Sequence, residues 1–173
     1  MSLKPQKHET DAVKGWLKTY PEKLNDIRNM QAQLERIEDK LSSVGTSTLS
    51  DMPKAPSKAA DKEAELIVQK IDLEREIEQE QVNVHKLRLE IEKVMSRLKK
   101  SNERAVIRAR YLCEEEWTDI SFILFGAKAD FTDKEESYLR RVHYIHKDAL
   151  EALVNLIPAE TLQEFAEETE DRK

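Results

Sequence analysis

Apolar residues recur along most of this chain at intervals of three and four, the spacing that places side chains on one face of an α-helix. The first such set is Val13, Trp16, Leu17 and Tyr20. It predicts a short N-terminal helix that Thr10 or Asp11 could cap. Because Pro21 comes next and has no backbone N–H, we expect a break there, or the first position of a second helix.

Two longer runs follow the three–four alternation of a coiled-coil seam, one from Pro21 to about Ser42 and one from Asp61 to about Lys100. Their apolar seam positions are Ile27, Met30, Leu34, Ile37 and Leu41, and then Leu66, Leu73, Ile77, Val84, Leu87, Ile91, Val94 and Leu98, with Lys70 and Glu80 filling two further positions. Since the first helix could cover only about half of the second, the remainder should pack on another copy of the chain. Residues 1–100 are therefore predicted to be a helical coiled-coil region that forms a homo-oligomer. The alternative is an intrachain antiparallel hairpin.

The segment between the two runs, residues 42–60, has a different composition. It is rich in Ser, Thr and Ala and contains Gly45, Pro53 and Pro56. Such residues interrupt helices and favour turns, so we predict a flexible linker there.

Three shorter helices are predicted after Lys100. The first spans about Glu103–Leu112, and the second is a short apolar helix with Thr118 as its N-cap and Gly126 as its C-cap. In the third, Thr132 and Glu135 have the spacing of a capping box, and the helix continues to about Ile157. Residues 101–157 should therefore form a compact helical domain. Residues 158–173 are predicted to be an acidic C-terminal tail or a weakly packed helix.

The third helix has a clear inward and outward side when its residues are placed about 100° apart around the axis. The inward side consists of Tyr138, Val142, Ile145, Ala149 and Leu153. The outward side carries the candidate DNA-binding residues: Arg140, Tyr144 and Lys147, with His143 beside them and Arg141 on one flank. In such a helix, Arg could donate two hydrogen bonds to guanine or to a phosphate, and Lys and Tyr could contact phosphates or bases. A solvated helix face that binds nothing is the plainer interpretation.

Neither a metal site nor a catalytic site is predicted. His143 and His146 are three residues apart and His146 falls near the inward side, whereas a two-histidine metal site prefers a spacing of four on one exposed face. A single cysteine, Cys113, is more typical of a small buried side chain than of a nucleophile. We therefore expect no metal, no cofactor and no enzymatic activity.

Composition limits the class of protein further. The chain has 173 residues, a formal net charge of −6 and 37% charged residues, a profile typical of long solvated helices. The acidic balance argues against indiscriminate binding of polyanions, although one local basic surface remains compatible with it. The single cysteine and an N-terminus without an apolar run predict a cytoplasmic protein with no membrane segment.

The C-terminal helices resemble region 4 of sigma factors. The segment "ERAVIRARYLCEEEWTDISFILFG" followed by "YLRRVHYIHKDALEAL" carries the resemblance. Trp117, Thr118 and Ile120 match the start of the first helix of that helix-turn-helix. Val142, Ile145, Ala149 and Leu150 match the end of its recognition helix. The connection between the two helices is longer here than the tight turn of region 4.

The whole layout resembles the ArpU/RinA-like regulators of Gram-positive phages and prophages. It has a "WLKTY" segment, a coiled coil, a linker with "DMP", a second long helix and the region 4-like domain. The resemblance implies an all-α, sequence-specific DNA-binding regulator of phage or prophage late genes, acting on double-stranded DNA. Acidic residues at Glu114–Glu116 and from Asp130 to Glu136 either repel DNA at the groove edge or contact a protein such as RNA polymerase.

Two other functions remain open at this point. A phage small terminase subunit also combines a helix-turn-helix with an oligomerising helical region, but it works in DNA packaging. A coiled-coil adaptor would bind proteins and no DNA. A ring of many subunits would favour the first alternative, and the absence of salt-sensitive DNA binding would favour the second.

Overall fold

The structure is a computed structural model that describes residues 6–45 and 58–170. Within these ranges every element is helical, which confirms the predicted all-α class. The helices are α1 Lys7–Gly45, α2 Lys58–Met95, α3 Ser101–Ile107, α4 Trp117–Phe125, α5 Glu135–Val154 and α6 Ala159–Glu170. A π-helical turn, Arg108–Leu112, continues α3, and a 3-10 turn, Thr132–Lys134, precedes α5.

The predicted interruption at Pro21 is wrong, because α1 continues through this residue. Proline removes one backbone hydrogen bond from a helix interior and clashes with the preceding turn. Here Leu17 and Tyr20 before it, and Ile27 after it, are all buried, and this packing can offset that cost. Neither predicted cap is used, since α1 already begins at Lys7.

Residues 23–85 form a compact unit in which α1 and α2 pair within one chain. The pairing is antiparallel: Lys23 lies 3.3 Å from Glu80, whereas Glu38 lies 2.7 Å from Lys70. Ile27, Ile77 and Val84, three of the predicted seam positions of this unit, are buried.

The polar seam positions of α2, Lys70 and Glu80, are thus the ones that form ion pairs with α1. The Glu38 carboxylate accepts a hydrogen bond from Lys70 and raises the pKa of that amine. Such exposed pairs contribute little to stability because water screens them, so we assign them mainly to helix register.

The oligomer was inferred because the helix before the linker was predicted to be about half as long as the helix after it. The structure does not have this difference in length. α1 has 39 residues and α2 has 38, because α1 is one helix and not two. The predicted linker is also shorter, as the helices extend to Gly45 and start at Lys58; its residues 46–57 lie outside the described ranges.

The second compact unit contains the chain up to Glu22 and from Lys86 onward. One of its buried clusters joins α3, α4 and α5 through Val106, Ile120, Phe125 and Val142. Arg97, two residues after the end of α2, donates a hydrogen bond to the Leu156 carbonyl (2.9 Å). The start of α1 and the C-terminal helix α6 belong to this unit as well, so the region around α5 is built from distant parts of the sequence.

Helix ends differ from the predicted caps. α4 begins at Trp117 after Glu116, and α5 begins at Glu135 after Lys134, in both cases without a side-chain cap. The Thr118 cap and the capping box of Thr132 and Glu135 are therefore wrong. Gly126 does end α4, as predicted.

Instead, a network of side-chain hydrogen bonds stabilises the connection between α4 and α5. The Asp130 carboxylate accepts hydrogen bonds from Lys134 Nζ (2.8 Å) and from the Tyr138 hydroxyl (2.7 Å). These two donors lower the pKa of Asp130 to about 2, because they stabilise its charged form. The network links the connection to the first turns of α5.

A helix needs roughly 20 consecutive, mostly apolar residues to cross a bilayer, and the described helices of that length are rich in charged residues instead. None of them, within residues 6–45 and 58–170, is long and apolar enough to cross a membrane.

We predict opposite effects for alanine at two glycines. At Gly126 an added Cβ would lie 2.6 Å from the Phe122 carbonyl oxygen, so Gly126→Ala should lower the free energy of unfolding by about 1–3 kcal/mol. At Gly15 the Cβ would lie 3.5 Å from the Phe165 ring, an ordinary contact, and alanine favours the helix by about 1 kcal/mol. Gly15→Ala is therefore the matched control. Urea unfolding followed by tryptophan fluorescence tests both, and equal stability of the two variants would contradict the prediction.

Candidate nucleic-acid interface

Helix α5 presents one side to the protein interior, as its periodicity predicts. Val142, Ala149 and Leu153 are fully buried, and Leu150 is nearly so. This burial fixes the rotation of α5 about its own axis. The residues on the opposite side therefore face outward.

Three of the five predicted DNA-binding residues lie together on this outward side. Arg140 is exposed, Tyr144 is 69% exposed and the Lys147 side chain is 70% exposed. Lys147 makes a long ion pair with Glu151 (3.9 Å), one turn away. Among the described residues, no hydrogen bond or ion pair engages the side chain of Arg140 or of Tyr144. Their donor groups are thus available to an external ligand.

The other two predicted residues lie on the flanks of α5 and contact aromatic rings. The Arg141 guanidinium is 5.0 Å from the centre of the Phe125 ring, and the His143 ring centre is 4.7 Å from that of Trp117. Each contact holds α5 against α4. Arg141 and His143 are therefore exposed side chains that also help to orient the helix, and the five residues do not form one cluster.

Sequence reasoning missed further cations beside α5. The Arg110 guanidinium stacks 4.9 Å from the centre of the Trp117 ring, on the same aromatic group that His143 contacts. Lys14 of α1 lines a cleft of about 560 Å³ next to α5. The lining residues of the cleft are Lys7, Thr10, Asp11, Lys14, His146, Lys147, Leu150 and Glu151. No local sequence signal could have joined Lys14 to α5, because the two are more than a hundred residues apart.

His146 is buried at the base of this region and hydrogen-bonded, as expected for an inward-facing histidine. Its Nε2 lies 3.0 Å from the hydroxyl of Tyr111, and its ring also meets the edge of Trp117. Burial, and to a smaller extent the nearby side chains Lys14, His143 and Arg110, lower the pKa of His146 to about 4. Burial raises the pKa of Tyr111 to about 12. Both groups are therefore neutral near pH 7.

Lys14 and Arg110 both lie near the His146 ring, in a chain that is acidic as a whole, and Lys14 is paired with Asp11 (3.1 Å). One of the predicted acidic residues is also part of this surface, since Glu116 lies 3.6 Å from Arg110. The local surface is thus mixed, because cations and carboxylates alternate around His146.

The described residues do not contain a group of three or more His, Cys, Asp or Glu side chains that could hold a metal ion. Cys113 is exposed and not buried as its type suggested.

Comparisons with known proteins add no assignment. No protein-family model, no curated protein and no solved structure matches this chain. The side chains described above are what a functional proposal can draw on.

The depressed pKa of His146 predicts a pH-dependent stability. In the unfolded chain this imidazole binds a proton near pH 6.5, whereas in the folded protein it stays neutral down to about pH 4. Its contribution to stability is therefore complete above about pH 6.5 and is lost as the pH falls toward 4, by about 1–3 kcal/mol. His146→Gln should flatten the pH dependence of unfolding by urea between pH 7 and pH 5.

His8, which is exposed, provides the matched control. His8→Gln should keep the pH dependence of the parent protein. If His146→Gln and the parent show the same slope of unfolding free energy against pH, the assignment of the slope to His146 is wrong.

Proposed function

We propose that this protein is a sequence-specific DNA-binding transcriptional regulator of the phage and prophage type. In this proposal α4 and α5 act as a sigma region 4-like helix-turn-helix, and α5 lies in the major groove of double-stranded DNA. The observation that carries it is the outward side of α5, where Arg140, Tyr144 and Lys147 are exposed together.

The chemistry of these three side chains suits base and phosphate contacts. The guanidinium of Arg140 can donate two parallel hydrogen bonds to O6 and N7 of guanine. Tyr144 can donate its hydroxyl proton to a phosphate or a base edge, and Lys147 can pair with a phosphate. Arg140 and Tyr144 are four residues apart, so they lie side by side along the groove-facing side.

Further cations lie where a phosphate backbone beside α5 would pass. Lys7 and Lys14 line the same cleft as Lys147, and Arg110 is held by Trp117 at the flank. Backbone contacts of this kind fix the position of a protein on DNA and make its affinity depend on salt. Since the chain carries a net charge of −6, we expect weak non-specific binding and a larger share of affinity from base contacts.

A protein-binding adaptor is the second candidate, and exposed apolar residues of α4 favour it. Phe122 is 64% and Ile123 is 60% exposed. Phe122 also lines a cavity of about 380 Å³ with Phe131 and Leu139, which Asp119, Glu135 and Glu136 surround. The acidic edge would repel a phosphate backbone there and suits a basic, partly apolar protein segment. In a regulator, the same surface could contact RNA polymerase.

Binding to DNA tests the proposal directly. Fluorescence anisotropy with fragments of the neighbouring genome, at several salt concentrations, should find one fragment bound at physiological salt, with a linear log–log salt dependence. Arg140→Ala should weaken that specific complex by about 1–3 kcal/mol and relax the preference at one base pair. Lys147→Ala should weaken all complexes about equally and reduce the salt slope by about 1.

The matched control is Arg36→Ala, which removes an exposed arginine from α1 in the other compact unit. It should leave DNA binding unchanged. Equal affinity of Arg140→Ala and the parent for the best fragment would contradict the base contact. The absence of any binding at low salt would reject DNA binding and leave the adaptor.

A further inference from the structure

Helix α2 has a second stripe of regularly spaced residues on the side away from α1, in which three of six positions are apolar. The stripe, which we call the outer seam, consists of Val68, Ile71, Arg75, Glu78, Val82 and His85, and all six side chains are exposed. Val68, Ile71 and Val82 are between 41% and 57% exposed. Ile77 and Val84 of the same helix are buried on the opposite side. All of these residues lie in the unit formed by residues 23–85.

The spacing of the outer seam is that of a coiled coil. Its residues follow one another at intervals of three, four, three, four and three, which gives alternating a and d positions of a heptad. Isolated apolar residues on a helix surface are common, but a stripe that keeps this spacing is typical of a helix–helix interface. The occupant should therefore be another helix.

We propose that the outer seam binds the outer seam of a second copy of this chain, in an antiparallel arrangement. In an antiparallel coiled coil, a positions of one helix meet d positions of the other. One alignment pairs Ile71 with Val82, Val68 with His85, and Arg75 with Glu78. In each pair, one residue belongs to the first copy and the other to the second copy. Two-fold symmetry repeats every pair, so all six outer-seam residues of each copy face a residue of the other copy.

Charge complementarity at the centre selects this arrangement. Arg75 of each copy meets Glu78 of the other, which gives two ion pairs of opposite charge. In a parallel arrangement Arg75 would face Arg75 and Glu78 would face Glu78, and like charges would repel. An antiparallel shift by one heptad would set Arg75 or Glu78 against Ile71, Val68 or Val82, and would bury a charge against an apolar side chain.

Within its own chain, Arg75 makes only a weak ion pair, so its guanidinium can pair with Glu78 of a second copy. Its side chain is 76% exposed, and its ion pair with Asp72 is long, at 4.0 Å. This association does not depend on DNA binding, because α5 contributes no residue to it.

Charge reversal tests the proposal on the full-length chain by sedimentation velocity. The parent should be in monomer–dimer equilibrium. Arg75→Glu and Glu78→Arg should each raise the dissociation constant at least about tenfold, since each replaces two attractions by two repulsions. The double variant Arg75→Glu/Glu78→Arg should restore the dimer, and an equimolar mixture of the two single variants should form a heterodimer.

Cysteine cross-linking then tests the direction of the helices. In a Cys113→Ser background, which removes the exposed native thiol, the variants Ile71→Cys and Val82→Cys should cross-link when mixed and not when alone. Cross-linking of either variant alone and not of the mixture would show a parallel dimer and overturn the proposal. A parent that stays monomeric up to its solubility limit, or single charge variants that dimerise like the parent, would overturn it as well.

Discussion

Each long helix of this protein has to bury a narrow apolar stripe on another helix, and the described structure follows from that constraint. The chain offers few alternatives, since 37% of its residues are charged and only 6% are aromatic. In residues 23–85 the stripes of α1 and α2 cover each other, with Lys70 and Glu80 paired to α1 at the polar positions. In the other unit, α3, α4 and α5 bury Val106, Ile120 and Val142 together. Helix orientation is therefore set by apolar burial, and ion pairs adjust the register.

The same constraint separates the binding side of α5 from its structural side. Val142 and Ala149 face inward, so Arg140, Tyr144 and Lys147 have to face outward. The flanking residues Arg141 and His143 pack on Phe125 and Trp117, which limits the rotation of α5. A helix held in this way presents its donors at fixed positions, which favours the proposed reading of a groove over a loose electrostatic contact.

The periodic elements were predictable because helix periodicity is a local property of the sequence. The inward residues Ile27, Ile77, Val84 and Val142 follow from their spacing alone, and all four are buried. The exposed outer seam of α2 follows from spacing too, but only after the main stripe has been assigned to α1. Helix ends were harder to predict. Thr118 and Thr132 have the residue type of caps, yet the structure uses neither as the cap of α4 or α5, and Asp130 braces the start of α5 from the side.

By itself, then, the sequence determined the all-α class, the main helices and the outward set Arg140, Tyr144 and Lys147, because each depends on residues within a few turns of one another. The tertiary structure decided what depends on distant segments: the continuity of α1 through Pro21, the pairing of α1 with α2 within one chain, and the approach of Lys14 to His146. It also decided the environment of His146, whose low pKa arises from burial and from cations on other helices. Apolar burial brings those segments together, and a local pattern cannot specify which of several compatible stripes a helix will meet.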